Sequence, residues 1–188
     1  MNSIFRKDKA IAALTYLLDM SHGVKDKYWL NKVMYFLERE SILRFGEPMF
    51  YDDLYSMQYG PVSGNVKAGI DCADKTNPNQ TDWKNFIRLD NNLNSVYEVN
   101  PGDYSLLSDS EIDLIREAYE KFKDFTFYQI MSYFHTNFPE FEEITGLPKR
   151  KPITWKDILT RNGYSEEDAD EIVSEIQYSA LNYSEAYG

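Results

Sequence analysis

At 188 residues, with 43% hydrophobic and 27% charged side chains, the chain can bury a core without a metal or disulfide staple and is too mixed in composition to be disordered or fibrous. Its 31 Asp and Glu against 20 Lys and Arg give a net charge of −11, which repels phosphate backbones and anionic lipid heads and disfavours direct nucleic-acid binding and membrane attachment. The single cysteine, Cys72, has no internal partner for a bridge, which points to the cytosol.

The first predicted helix covers about residues 7–21, with Ile11, Leu14, Leu17 and Leu18 on one face and Gly23 as its stop. Its apolar run, 10–18, is far short of the roughly 20 residues that span a bilayer. Asp19 closes that run and no small-residue cleavage pattern follows, so no secretory signal is expected. A second helix is expected over about 26–45, burying Leu30, Val33, Met34, Leu37 and Leu43 and ended by Gly46 and Pro48. Residues 49–61 lose periodicity and read as a loop or short edge strand closed by the turn Tyr59-Gly60-Pro61. A helix over about 62–73 precedes a polar stretch at 75–81.

Residues 86–89 and 96–99 alternate apolar and polar on either side of Asn91-Asn92, the pattern of an antiparallel hairpin, expected here to be the main sheet element. Ser108 with Glu111 and Thr126 with Gln129 fit capping boxes and open two further helices. The tail offers a short helix over about 154–160 and a longer one over about 166–182 with Ser165 as N-cap, its first turn rich in carboxylates. The fold class is therefore mainly α with a small antiparallel β-hairpin or sheet, an α+β chain of one domain.

Chemistry is sparse. With two histidines, one cysteine and no ligand spacing that closes a shell, neither a metal nor a cofactor is expected, and no Gly-rich phosphate loop is present. Gly60-Pro61-Val62-Ser63-Gly64 lacks the nucleophile-elbow spacing, and Ser63 reads as a capping residue. Cys72, on a helix beside Ile70 and Ala73, reads as an inert buried thiol. His135, after Phe134, reads as a hydrogen-bonded structural histidine, and pairs such as Asp52-Asp53 as solvated faces, so no catalytic residue is assigned. Aromatic residues make 15% of the chain, and Tyr51, Tyr55 and Tyr59 crowd one irregular segment. Two readings stand for them: an interface, where tyrosine buries much area at small entropic cost, or a roof over the core.

The run Leu30-Asn31-Lys32-Val33-Met34-Tyr35-Phe36-Leu37-Glu38-Arg39-Glu40, then Phe45-Gly46-Glu47-Pro48-Met49 and Met57-Gln58-Tyr59-Gly60-Pro61-Val62, resembles the Panacea antitoxin domain, the SocA-like family, in order and spacing. A second half, 107–111 and then Met131-Ser132 to His135 with Pro139, continues the likeness. Ser41 stands where the family often has His, and the aromatic residue usual after the late proline is displaced to Phe141. The resemblance implies a single compact helical domain over 1–188, with a core of about 9–144 and 145–188 packed on it as a C-terminal helical extension.

It further implies a cytoplasmic antitoxin of a bacterial or prophage type II toxin–antitoxin pair that neutralises a cognate toxin by direct protein contact. The alternative within the family is a proteolytic adaptor of the SocA type, delivering the toxin to a ClpXP-type protease. Tyr51, Tyr55, Tyr59, Gly60 and Pro61 are the candidate partner-binding residues. The rival outside the family is an enzyme with a site near His135, which requires a deep pocket there. A transcriptional regulator is a weaker rival, since no basic recognition helix is present.

Overall fold

Helix α2 (Lys27–Phe45) organises the protein, and its sequence explains both its limits and its place. Asp26 caps its first turn by accepting from the Trp29 N–H at 2.9 Å, and Gly46 ends it in the left-handed conformation that glycine adopts without strain. A computed structural model describes residues 4–73 and 82–187, so the polar stretch at 75–81 lies outside the described residues.

Around α2 pack α1 (Lys7–Met20), α3 (Gly64–Cys72), α4 (Asp109–Phe122), α5 (Phe127–Asn137) and α6 (Trp155–Arg161), and the long α7 (Glu166–Tyr187) lies on α6. Both expected capping boxes are formed, Ser108 with Glu111 on α4 and Thr126 with Gln129 on α5, and Thr154 with Asp157 makes a third on α6. A helix so enclosed cannot be amphipathic in the usual sense. Where a single apolar stripe was expected, α2 is buried almost all round from Trp29 to Ile42, and Lys32, Glu38 and Arg39 are buried with it. Phe36, Phe122, Phe134 and Phe138 fill the core beside it in largely edge-to-face pairs.

The strands form two three-stranded antiparallel sheets among the described residues. In one, the expected hairpin β4 (Ile87–Asp90) and β5 (Ser95–Glu98) is joined by β1 (Val24–Asp26), a strand the sequence hides between two helices. The other corrects the reading of 49–61 as a loop or edge. There β2 (Leu54–Met57) is central, between β3 (Gly60–Ser63) and β6 (Arg150–Ile153), so this sheet equals the hairpin sheet in size. Ser56 occupies an inward position of β2, where its hydroxyl accepts from the Glu142 N–H at 3.0 Å, and this polar residue masks the apolar alternation. Pro61 and Pro152 fall on the two edge strands, where a missing N–H costs the sheet nothing.

Helix α3 consequently starts at Gly64, with Val62 and Ser63 in β3. Ser63 sits at its N-cap without a side-chain cap bond, and the buried Asp52 carboxylate caps the helix instead, accepting from the Asn65 and Val66 N–H groups at 2.8 and 3.0 Å. Asp52 is thus no solvated face. Cys72 is half-buried. The basic tail stretch pairs with acid: Lys156 with Glu166 and Asp170, Lys151 with Glu142. No helix among the described residues is long and apolar enough to cross a membrane.

Candidate functional site

Residues four apart on a helix lie one above the other, and two such rows meet at a cleft of about 1150 Å³. Tyr28 and Lys32 on α2 face the β2–β3 turn, and both hold it. The Tyr28 hydroxyl donates to the Tyr59 carbonyl at 2.6 Å and the Lys32 ammonium to the Pro61 carbonyl at 2.7 Å. From the opposite side α5 presents Phe127, Met131 and His135.

Gly60, at the bend of the turn, has φ +97°, and a Cβ there would stand 3.0 Å from Lys32 Nζ and 3.3 Å from His135 Nε2. The positive φ calls for glycine, and a Cβ would also press on the ends of the Lys32 and His135 side chains, which close on the bare Cα. The Tyr-Gly-Pro turn and the α2 and α5 segments that carry the family resemblance therefore converge in space.

The cleft reverses the charge of the chain. Lys27, Lys32, Lys67, Lys149 and His135 line it against one acid, Glu143. Lys27 and Lys67 share Asp71 as a salt-bridge partner, at 3.0 and 2.5 Å. Lys32 is 1% exposed, pairs with no carboxylate among the described residues, and has its pKa pushed well below the ordinary lysine value by burial and then by Lys67. His135 is likewise lowered, by burial first and Lys32 second, against the opposing pull of Glu143 and the Tyr59 backbone.

The His135 imidazole has the Tyr59 backbone as its hydrogen-bonding neighbour, while its buried Nε2 makes no close hydrogen bond. Asn31, also in the cleft wall, donates from Nδ2 to the Lys27 carbonyl at 3.0 Å and leaves its buried Oδ1 unmatched. Among the described residues no group of His, Cys, Asp and Glu could hold a metal ion.

An aromatic ridge forms the mouth. Phe127 lies between Tyr28 and Tyr59, tilted to the first and edge-on to the second, with ring centroids 4.4 and 6.3 Å away, and outside the cleft it meets Tyr128 at 5.4 Å; Tyr59, Phe127 and Tyr128 are 54%, 43% and 74% exposed.

The five residues singled out from the sequence do not share a face. Tyr51 is buried against Trp155, Ile176 and Ala180, with Arg6 over its ring. Tyr55 is half-buried under Arg150, while Gly60 and Pro61 are buried beside the cleft. Only Tyr59 stands out to solvent, at the cleft mouth. Lys32, Phe127 and Tyr128 were not singled out. A lysine inside the apolar run Leu30 to Met34 and two aromatic residues directly after the Thr126 cap are the signals that mark them.

A family model described as the SocA-like antitoxin Panacea domain matches residues 30–139, a span that contains Lys32, Gly60, Phe127 and His135. No curated protein and no solved structure matches the chain.

Proposed function

Because the chain belongs to the SocA-like antitoxin family by its Panacea domain, we propose that it neutralises a cognate toxin of a type II pair by direct contact at the cleft mouth, without catalysis of its own. The observation that carries this reading is the ridge of Tyr59, Phe127 and Tyr128. Large aromatic side chains left this exposed, in contact with one another and beside a basic cleft, have the composition of an interface hot spot, where a few rigid rings supply most of the binding energy. The surrounding lysines on an otherwise acidic protein would orient an acidic or mixed-charge partner. A bacterial cytoplasm or a prophage operon is the setting that suits such a pair.

Expressed alone, the product of the adjacent reading frame should arrest growth; expressed with this protein, it should not, and the two should co-purify. Replacing Tyr59 and Phe127 together by Ala should weaken that complex by about 10- to 100-fold, or about 1.4–2.8 kcal/mol, with Tm nearly unchanged. Undiminished affinity in the folded double variant would remove the ridge from the interface. Delivery to a ClpXP-type protease would use the same surface and differ in shortening the toxin's lifetime.

An enzyme near His135 is the other reading, and the cleft at that residue is what favours it. It is the weaker one, because Glu143 acts on the imidazole only through space and no carboxylate orients the ring by a hydrogen bond among the described residues.

A further inference from the structure

An ammonium group has three N–H donors, and the one on Lys32 gives one to the Pro61 carbonyl and lies 5.1 Å from the Tyr28 ring centroid, while the side chain is 1% exposed. A buried cation without a counter-charge is unfavourable, and methionine would fill much the same volume at no such penalty. The opposite case lies on the same helix, where Arg39 is matched by Glu140 and Glu40. Beside Lys32, His135 Nε2 is buried without a close hydrogen bond, and the ring is positioned by the Tyr59 backbone and by Phe141 at 4.5 Å. Two nitrogens able to donate thus flank Gly60, with Lys67 acting on Lys32 from nearby. A further cation has no place among these groups; an anion does.

We infer that the inner end of this cleft binds a phosphate-bearing small molecule, its oxyanion at the wall that Lys32 and His135 contribute and its organic part against Tyr28 and Met131. The cleft, at about 1150 Å³, far exceeds a free phosphate, and the walls beyond the nitrogens are aromatic and apolar, which is how sites for small organic ligands are built. A dianion suits the pair of Lys32 and His135 better than the single charge of a carboxylate. Binding favours the protonated forms of Lys32 and His135, which burial disfavours, so an anion seated here raises the proton affinity of both. Lys32 opposes protonation of His135 and Glu143 assists it, and the anion cancels the first of these. The inference does not depend on the antitoxin reading.

His22 and His135 are the only histidines, so their imidazole resonances in the full chain read the site directly, with His22 as internal control. Inorganic phosphate, adenosine 5′-monophosphate and acetate are the probes. Phosphate and the nucleotide should shift the His135 signals saturably and move its titration midpoint upward, the nucleotide at about tenfold lower concentration, while acetate and the His22 signals stay unmoved. Lys32→Met, folded by circular dichroism, should lose the response; should that variant fail to fold, His135→Gln should lose the calorimetric heat of nucleotide binding instead.

No His135 response up to about 20 mM phosphate or nucleotide overturns the site, as does a response kept in folded Lys32→Met or heat kept in His135→Gln. An equal response to acetate overturns the assignment to phosphate. A nucleotide no tighter than phosphate overturns the role given to Tyr28 and Met131.

Discussion

Toward its C-terminal end α2 sends Arg39 to the Glu140 carboxylate, donating from Nε to Oε1 at 2.5 Å, while Tyr35 donates to the same oxygen at 2.9 Å. Asn162 closes the ring, donating to Oε2 at 3.2 Å and accepting from Arg39 Nη2 at 2.6 Å, and Glu40 takes Nη1. About two turns earlier on the same helix, Lys32 lies equally deep with the Pro61 carbonyl and the Tyr28 ring for company, no carboxylate among the described residues, and the His135 Nε2 beside it without a close hydrogen bond. Both places bury charge that apolar residues could replace. Only the first directs most of its donors to carboxylates and an amide, and it does so by tying α2 to the segment after α5 and to the end of α6. Burial of a charge therefore marks neither structure nor function by itself. Whether its donors are spent inside the fold separates the two.

The contrast breaks most sharply at Glu140. Glu140→Ala strips the counter-charge from a guanidinium that is 5% exposed and leaves Tyr35 without its acceptor. Removing one member of a buried pair costs about 3 kcal/mol or more, which in a chain of this size lowers Tm by about 6–12 °C. Urea denaturation reads the loss directly. A loss under about 1 kcal/mol would mean that Glu40 and Asn162 suffice for Arg39, and that the closed ring is not what holds these elements together.

Lys32→Met should behave in the opposite way. It gives up a hydrogen bond worth about 1 kcal/mol and removes a buried, unpaired charge, so stability should stay within about 1 kcal/mol of the parent. The urea midpoint of this variant, set beside that of Glu140→Ala, measures the comparison itself. A loss on the Glu140→Ala scale would make Lys32 a structural residue and close the gap between the two places.

Much of this architecture was legible because its signals are local. The capping boxes at Ser108 and Thr126, the N-cap at Ser165 and the glycine stop at Gly46 are each written within four residues and hold in the fold. The second sheet was not, because β2 finds β6 nearly a hundred residues away, and Arg-Lys-Pro-Ile carries no strand pattern of its own. The cleft escaped for a different reason. An amphipathic reading of α2 assigns its charged residues to water, and α2 has no watered face for Lys32, Glu38 or Arg39 to occupy. Glu38 shows the consequence: burial pushes its pKa up to about 8, although the Phe50 and Asp52 N–H groups bond to it. The tyrosine cluster failed as a cluster because Tyr51, at φ +56°, turns into the packing under α7 while Tyr59 turns out over the cleft. The family resemblance supplied what the local signals lacked, since its α2, Tyr-Gly-Pro and α5 segments meet at Gly60.

The smallest expected effect is a slope. Burial and Lys32 hold the His135 pKa below its ordinary value near 6.5, which the unfolded chain restores, so the folded state binds fewer protons there than the unfolded one. A group depressed in this way contributes stability that is present above the unfolded value and is lost as pH falls through the folded one. Compared with His135→Gln, the parent should therefore lose stability progressively below about pH 6.5 and hold a constant difference above it, in urea titrations run at a series of pH values. Phosphate sharpens the measurement, because an anion seated at the wall of Lys32 and His135 raises the imidazole pKa and should flatten or reverse the parent's acid slope while leaving the variant's unchanged. Parallel pH profiles for parent and variant, with phosphate and without, would put the imidazole in surroundings no different from water and take from the cleft the one feature that sets it apart from the Arg39 ring.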